Sequence, residues 1–173
     1  MRSFFVLILL GVTLATIAIV VRSGILARKN PGRPINSAMR AALETPQLSS
    51  EDAAIIEKKF STAHRTPSGL LYIVRAPGEG SPPKYGARVT AHYEGRLLNG
   101  TKFDSSYDNH RPIVFHVGLG EVVKGWDEAF LAMKKGEKRT LILPYWIGYG
   151  IEGRSPIPPR ATLVFDVELV DFQ

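Results

Sequence analysis

Hydrophobic and polar positions along this chain follow three successive patterns. From Phe4 to Val21 no charged residue interrupts an apolar run. As a helix this run would extend about 27 Å at about 1.5 Å per residue, close to a bilayer core of about 30 Å. The cluster Asn30-Pro31-Gly32-Arg33-Pro34 breaks the pattern, since Pro and Gly punctuate helices. A helical period follows. Ser49 and Asp52 have capping-box spacing, Glu51 and Asp52 suit a helix first turn, and Ala53, Ile56 and Phe60 share one face. This predicts a helix over about 50–63. Its apolar stripe could pack on a neighbouring domain, pair with another copy or lie near a membrane. Thr66-Pro67-Ser68-Gly69 ends the linker.

Beyond that point the period drops to two. Leu70, Tyr72 and Val74 alternate with Leu71 and Ile73, and Val89, Ala91 and Tyr93 alternate with Thr90, His92 and Glu94. Leu141 and Leu143 alternate with Thr140 and Ile142. Leu163, Phe165, Val167 and Leu169 alternate with Val164, Asp166, Glu168 and Val170. Asn99-Gly100 signals a two-residue hairpin of type I′, which needs positive φ twice. One helical stretch interrupts the strands, from near Lys124 to Lys135, with Trp126, Phe130 and Met133 on its buried side. The apolar face of a sheet needs a cover, so these patterns predict an α+β fold, a curved antiparallel sheet wrapped over one amphipathic helix. The chain divides into 1–29, a hydrophobic span with a basic flank; 30–65, a linker with a short helix; and 66–173, the strand-rich domain.

Composition narrows the chemistry. There is no cysteine among 173 residues, which removes disulfides, thiol nucleophiles and thiolate metal sites. The net charge of +6 is not gathered into a basic stripe with stacking aromatics, so nucleic acid is not an expected partner. Arg22, Arg28, Lys29, Arg33 and Arg40 instead flank the greasy run. That run exceeds a signal-peptide core of about 7–15 residues, and no small-x-small site closes it. An uncleaved signal anchor is the favoured reading, with a cleaved signal peptide as the alternative. The excess of Lys and Arg after the run argues for a cytoplasmic domain by the positive-inside rule. His64, His92, His110 and His116 lack metal-ligand spacing. No G-x-S-x-G elbow or nucleotide loop occurs, and no metal or cofactor is expected.

A set of ordered motifs remains. His92-Tyr93-Glu94-Gly95, Phe103-Asp104-Ser105-Ser106, Val122-Val123-Lys124-Gly125-Trp126-Asp127-Glu128-Ala129-Phe130, Tyr149-Gly150 and Ile157-Pro158-Pro159 precede a closing run from Ala161 to Leu169. In order and spacing this set resembles the FKBP-type peptidyl-prolyl cis-trans isomerases, over roughly residues 66–173. The resemblance implies an isomerase acting on proline-containing polypeptides, with tacrolimus- and rapamycin-type macrolides as further ligands. Bacterial relatives with such N-termini are exported. That analogy runs against the charge bias and places the domain on the periplasmic or exported side, anchored through the N-terminal helix.

Prolyl isomerisation needs little chemical equipment. Rotation about a peptide bond faces about 18–20 kcal/mol because it breaks amide resonance, while the two prolyl isomers lie close in energy. An apolar pocket disfavours the charge-separated planar amide, and fixed donors can bind the rotated carbonyl. The resemblance assigns Trp126 as the pocket floor. It assigns Tyr93, Phe103, Val122, Val123, Ile157 and Phe165 as walls, with Ile113 at a rim position often held by Phe. Asp104 becomes the pocket carboxylate that fixes Tyr93. Tyr149 becomes the hydroxyl that reaches a bound carbonyl, and a backbone N–H near Val123 a further donor. Several positions depart from the common pattern. Asn109 stands where an Arg often balances the carboxylate, with Arg111 nearby, and the loop Ile151–Pro156 is short and carries Arg154 near a frequent His. The competing reading is a catalytically weak proline-binding chaperone or scaffold that uses the same pocket.

Overall fold

Residues 46–173 are described in the computed structural model, so the hydrophobic span 4–21 and the break at 30–34 lie outside the described residues. The elements run α1 (Ser50–Lys59), β1 (His64–Arg65), β2 (Leu71–Ala76), β3 (Arg88–Leu97), β4 (Lys102–Ser105), β5 (Ile113–His116), α2 (Lys124–Leu131), β6 (Lys138–Leu143), a 3-10 turn (Tyr145–Ile147) and β7 (Leu163–Phe172). All strand pairings are antiparallel, in the order β1-β2-β6-β7-β3-β4, with β5 pairing the first half of β3. β7 is central because it pairs with β3 from Leu163 to Phe172 and with β6 from Leu163 to Glu168.

Alternation sends successive β7 residues to opposite faces. Leu163, Phe165, Val167 and Leu169 join α2 in the main core, where Trp126, Phe130 and Met133 are buried as the helical period predicts. Val164 faces the other way. With Ile56, Leu71, Leu98 and Ile142 it forms a second cluster under α1. Of the three fates open to the apolar stripe of α1, the fold realises packing on its own domain. Burying Ile56, only 5% exposed, contributes about 1.5–3 kcal/mol by area.

Local chemistry sets the ends of both helices. Ser49 caps α1 by accepting the Asp52 N–H at 3.0 Å, while the Asp52 carboxylate accepts from the Thr162 hydroxyl at 2.5 Å. α1 stops at Lys59 rather than running to 63. Phe60 leaves helical geometry (φ −132°, ψ 33°), and it and Ala63 turn in against the α1 cluster before β1 pairs with β2. α2 stops at Leu131, short of Lys135. There a buried ion pair, Arg139 to Glu137 at 2.6 Å, takes over the helix end. Arg139 donates to the Ala132 carbonyl and Glu137 accepts the Lys134 N–H, each at 2.8 Å.

The hairpin at Asn99-Gly100 corrects the expected type I′ turn. Gly100 has φ +98°, but Asn99 is not left-handed. Gly100 N–H bonds the Leu97 carbonyl at 2.8 Å and Leu97 N–H bonds Thr101 at 2.9 Å. The connection is therefore a three-residue loop with one left-handed glycine, the next most common hairpin solution. β5 is an addition to the sequence reading. Its four residues, exposed on alternate positions, are too short for the period-two pattern to stand out.

Candidate active site

The site grows from β3, where Tyr93 projects toward α2. Its ring meets Trp126 edge-on, with centroids 5.1 Å apart, and Trp126 meets Phe165 in the same way at 5.2 Å. Phe103 on β4 packs edge-on against Phe165 at 5.6 Å. Such edge-to-face pairs contribute roughly 0.5–1.5 kcal/mol each beyond area burial. They require Gly95, since a Cβ there would sit 2.7 Å from the Phe103 ring and 2.8 Å from Phe165. Gly125 has a parallel reason. A Cβ there would approach Leu143 to 2.7 Å, so glycine lets the start of α2 close on β6. The two motif glycines thus set the distance between sheet, helix and aromatic walls.

These rings surround a cavity of about 390 Å³ lined by Tyr93, Phe103, Asp104, Ile113, Gly120, Glu121, Val122, Val123, Trp126, Tyr149, Arg154 and Phe165. Nine of the ten residues assigned from sequence converge there. Ile157 is buried in the main core and is not among the lining residues. Sequence reasoning gave Gly120, Glu121 and Arg154 no part in the lining. It also missed the supports beneath it. Asp127 accepts the Gly118 and Gly120 N–H groups at 2.8 and 3.0 Å, fixing the loop that leads into Val122 and Val123. Ser106, 2% exposed, accepts the Tyr93 N–H at 2.8 Å and bonds His92 Nδ1 at 3.0 Å. An acid in the first turn of a helix was the available signal for Asp127. Ser106 stands in the Phe103–Ser106 motif, but its pattern there gave no sign that it would support Tyr93.

Asp104 is held by its neighbours. Tyr93 donates its hydroxyl to Oδ2 at 2.6 Å, while the Ser105 N–H and Asn109 Nδ2 approach Oδ1 at 2.9 and 3.4 Å. Asn109 therefore supplies a neutral donor where relatives often carry a cation, and Arg111 makes no ion pair with Asp104. Burial, reinforced by the Asp104 carboxylate, pushes the Tyr93 phenol far above its ordinary pKa, so it stays a donor. Burial also raises Tyr149, with the Arg154 charge working against that rise and Asp104 with it. The Tyr149 hydroxyl, in the cavity lining, has no hydrogen-bond partner among the described residues, and Trp126 Nε1 is buried beneath the floor without one.

A buried aromatic floor, a carboxylate–tyrosine pair and an unpartnered tyrosine hydroxyl around one cavity can accept an apolar ring and offer a hydrogen bond without a nucleophile. The comparisons with known proteins agree. The family description FKBP-type peptidyl-prolyl cis-trans isomerase matches residues 79–170. The chain is 48% identical over 103 residues to an FK506-binding protein of Neisseria meningitidis serogroup B, covering 59% of this chain and 94% of that protein. It is 47% identical over 122 residues to FK506-binding protein 4 of Dictyostelium discoideum, covering 69% of this chain but only 33% of the longer relative. Among solved structures, FkpA from Escherichia coli superposes with a TM-score of 0.66 at 32% identity, covering 95% of this chain and 71% of that one. The chain belongs to the FKBP-type peptidyl-prolyl cis-trans isomerase family.

Proposed function

We propose that the domain accelerates Xaa-Pro rotation by admitting the prolyl ring onto Trp126, between Tyr93, Phe103, Val122, Val123, Ile113 and Phe165. Removing water there disfavours the planar, charge-separated amide. The Tyr149 hydroxyl binds the carbonyl as it rotates, with a backbone N–H near Val123 as a second donor. Asp104 positions the Tyr93 hydroxyl and sets the polarity of the site. The observation that carries this reading is the Tyr93–Asp104 bond on the wall of a Trp126-lined cavity beside an unpartnered Tyr149 hydroxyl.

Substrates are proline-containing segments of folding chains, because uncatalysed isomerisation takes about 10–100 s and limits folding. The same pocket takes tacrolimus- or rapamycin-type macrolides. The charge-free run from Phe4 to Val21 supports a tether that holds the enzyme at a membrane, and the resemblance to exported bacterial relatives supports the exported side, where chains emerge. Protease added to spheroplasts should then remove the domain; protection until the inner membrane is lysed would place it in the cytoplasm.

The direct test is cis-to-trans relaxation of a Leu-Pro peptide by detergent-solubilised full chain, beside an Asp104→Ala, Tyr149→Phe double variant. Rate enhancement by the parent should fall at least about ten-fold in the variant, about 1.4 kcal/mol of barrier. A folded parent without any acceleration would leave a proline-binding chaperone module instead.

A further inference from the structure

β5 pairs with β3 alone, so its other side is a sheet edge. In an antiparallel pair, alternate residues exchange backbone hydrogen bonds while those between them point outward. Arg88, opposite His116, exchanges its bonds with Gln173 instead, at 2.9 and 3.0 Å. Phe115 and Ile113 are therefore the residues bonded to β3, and His116 and Val114 turn their N–H and C=O to the free edge. At His116 the chain closes that edge itself. The N–H goes to the Glu121 carboxylate at 2.9 Å, and the C=O takes the Leu119 N–H at 3.4 Å. At Val114 neither group has a partner among the described residues, and the side chain is exposed. This opening lies beside the site. Val114 lines a second cavity of about 380 Å³, which shares Tyr93 and Ile113 with the aromatic cavity. Proteins guard sheet edges with short strands, Pro and charge, because an unpaired edge invites another strand. β5 has four residues and follows Arg111 and Pro112. What stays unguarded is a single residue, next to the cavity that would take a prolyl ring.

We infer that substrate chains dock on this edge: an extended stretch flanking the proline pairs with Val114 through its backbone while the prolyl ring sits on Trp126. This rests on the isomerase reading of the site and deepens it by naming a substrate class, chains that are extended and unpaired beside their proline. Strand addition of this kind draws its affinity from main-chain bonds, so it holds chains of differing side-chain sequence. Proline has no N–H and cannot supply the donor itself. The pairing residue lies a few positions away, each spanning about 3.3 Å of strand. One such bond changes binding by about two- to ten-fold.

The test measures kcat/KM for prolyl isomerisation by solubilised full chain, using Ala-Leu-Pro-Phe and a longer peptide that extends the same four residues by three on each side. The longer peptide should be favoured by about three-fold or more. Methylating its backbone nitrogens one at a time should remove that advantage at one position and leave it at the next, because successive N–H groups of a strand point to opposite sides. Val114→Pro deletes the outward N–H without touching the bonds to β3, and edge strands tolerate proline there. It should abolish the advantage, while Val114→Ala, which keeps the N–H, should retain it. Equal rates for the two lengths, in a parent that accelerates the short peptide, would overturn the proposal and leave the isomerase reading intact. An advantage that survives Val114→Pro in folded protein would also overturn it, as would methylation effects without alternation. If Val114→Pro does not fold, the methylation series on the parent decides. No acceleration of the short peptide would remove the isomerase reading, and this inference with it.

Discussion

The two faces of the sheet bury apolar side chains in different ways. The inner face packs aromatic rings edge-on around Trp126 and leaves a cavity bounded by Asp104 and Tyr149. The outer face packs the aliphatic side chains of Leu71, Leu98, Ile142 and Val164 against Ile56 of α1. Adjacent residues feed the two sides: Leu70 and Leu71, Leu141 and Ile142, Val164 and Phe165. On the inner face the rings meet at steep angles and wall a cavity, and on the outer face the aliphatic chains pack against one another beneath α1. A binding site forms on the aromatic side, and the opposite face supplies stability without chemistry. A cavity of about 430 Å³ beside α1 has a single aromatic residue in its lining, Tyr145, and its Asp52 carboxylate is held by the Thr162 hydroxyl rather than by a tyrosine.

The strongest way to break this comparison is on the inner side. Phe130 is fully buried and its ring meets both Trp126 and Phe115. Phe130→Ala should cost about 3–5 kcal/mol in urea unfolding, and isomerase activity should be lost along with the fold. A milder loss would mean that the inner core collapses around deletions and is not rigid. On the outer side, Ile56→Ala should cost about 2 kcal/mol, since the cluster lies near the domain surface and can relax. Peptide turnover below the unfolding midpoint should stay within about two-fold of the parent. A larger drop in turnover of folded protein would show that the faces are coupled.

The smallest effect is a titration confined to the site. Burial raises the phenols of Tyr93 and Tyr149, and of Tyr107, so they stay protonated where free tyrosine is half ionised, at about pH 10. A folded-state pKa above the unfolded value gives stabilisation that is complete below about pH 10 and is lost as pH rises beyond it. Tyrosinate absorbance should therefore show a late-ionising group that coincides with alkaline unfolding. Combining Tyr93→Phe with Tyr149→Phe should shrink that late component. If it persisted undiminished, the cavity would not be shielding these two hydroxyls from water.

Much of this was legible before any coordinates. Trp126, Phe130 and Met133 declared a buried helix face by spacing alone, and the strand alternation gave β2, β3, β6 and β7. The type I′ reading of Asn99-Gly100 failed because dipeptide statistics do not register the β3–β4 bulge that takes up one residue. The ends of both helices were missed for a related reason. Phe60 turns toward a cluster assembled from four other segments, and Glu137 with Arg139 closes α2 from the neighbouring strand. Nine of ten expected site residues share the cavity, while Ile157 went to the core, since motif position fixes a residue's place in the chain and not the face it turns inward.

By itself the sequence determined periodicity, and with it which segments become strands or helices and which residues seek burial, because those follow from side-chain spacing and local backbone preference. The tertiary structure decided which of two apolar faces kept a cavity floored by aromatic rings, that α1 covers the other, that Tyr93 meets Asp104, and that Arg154 has no side-chain partner among the described residues. Each of those outcomes depends on groups far apart in the chain reaching contact distance, and no local pattern encodes that.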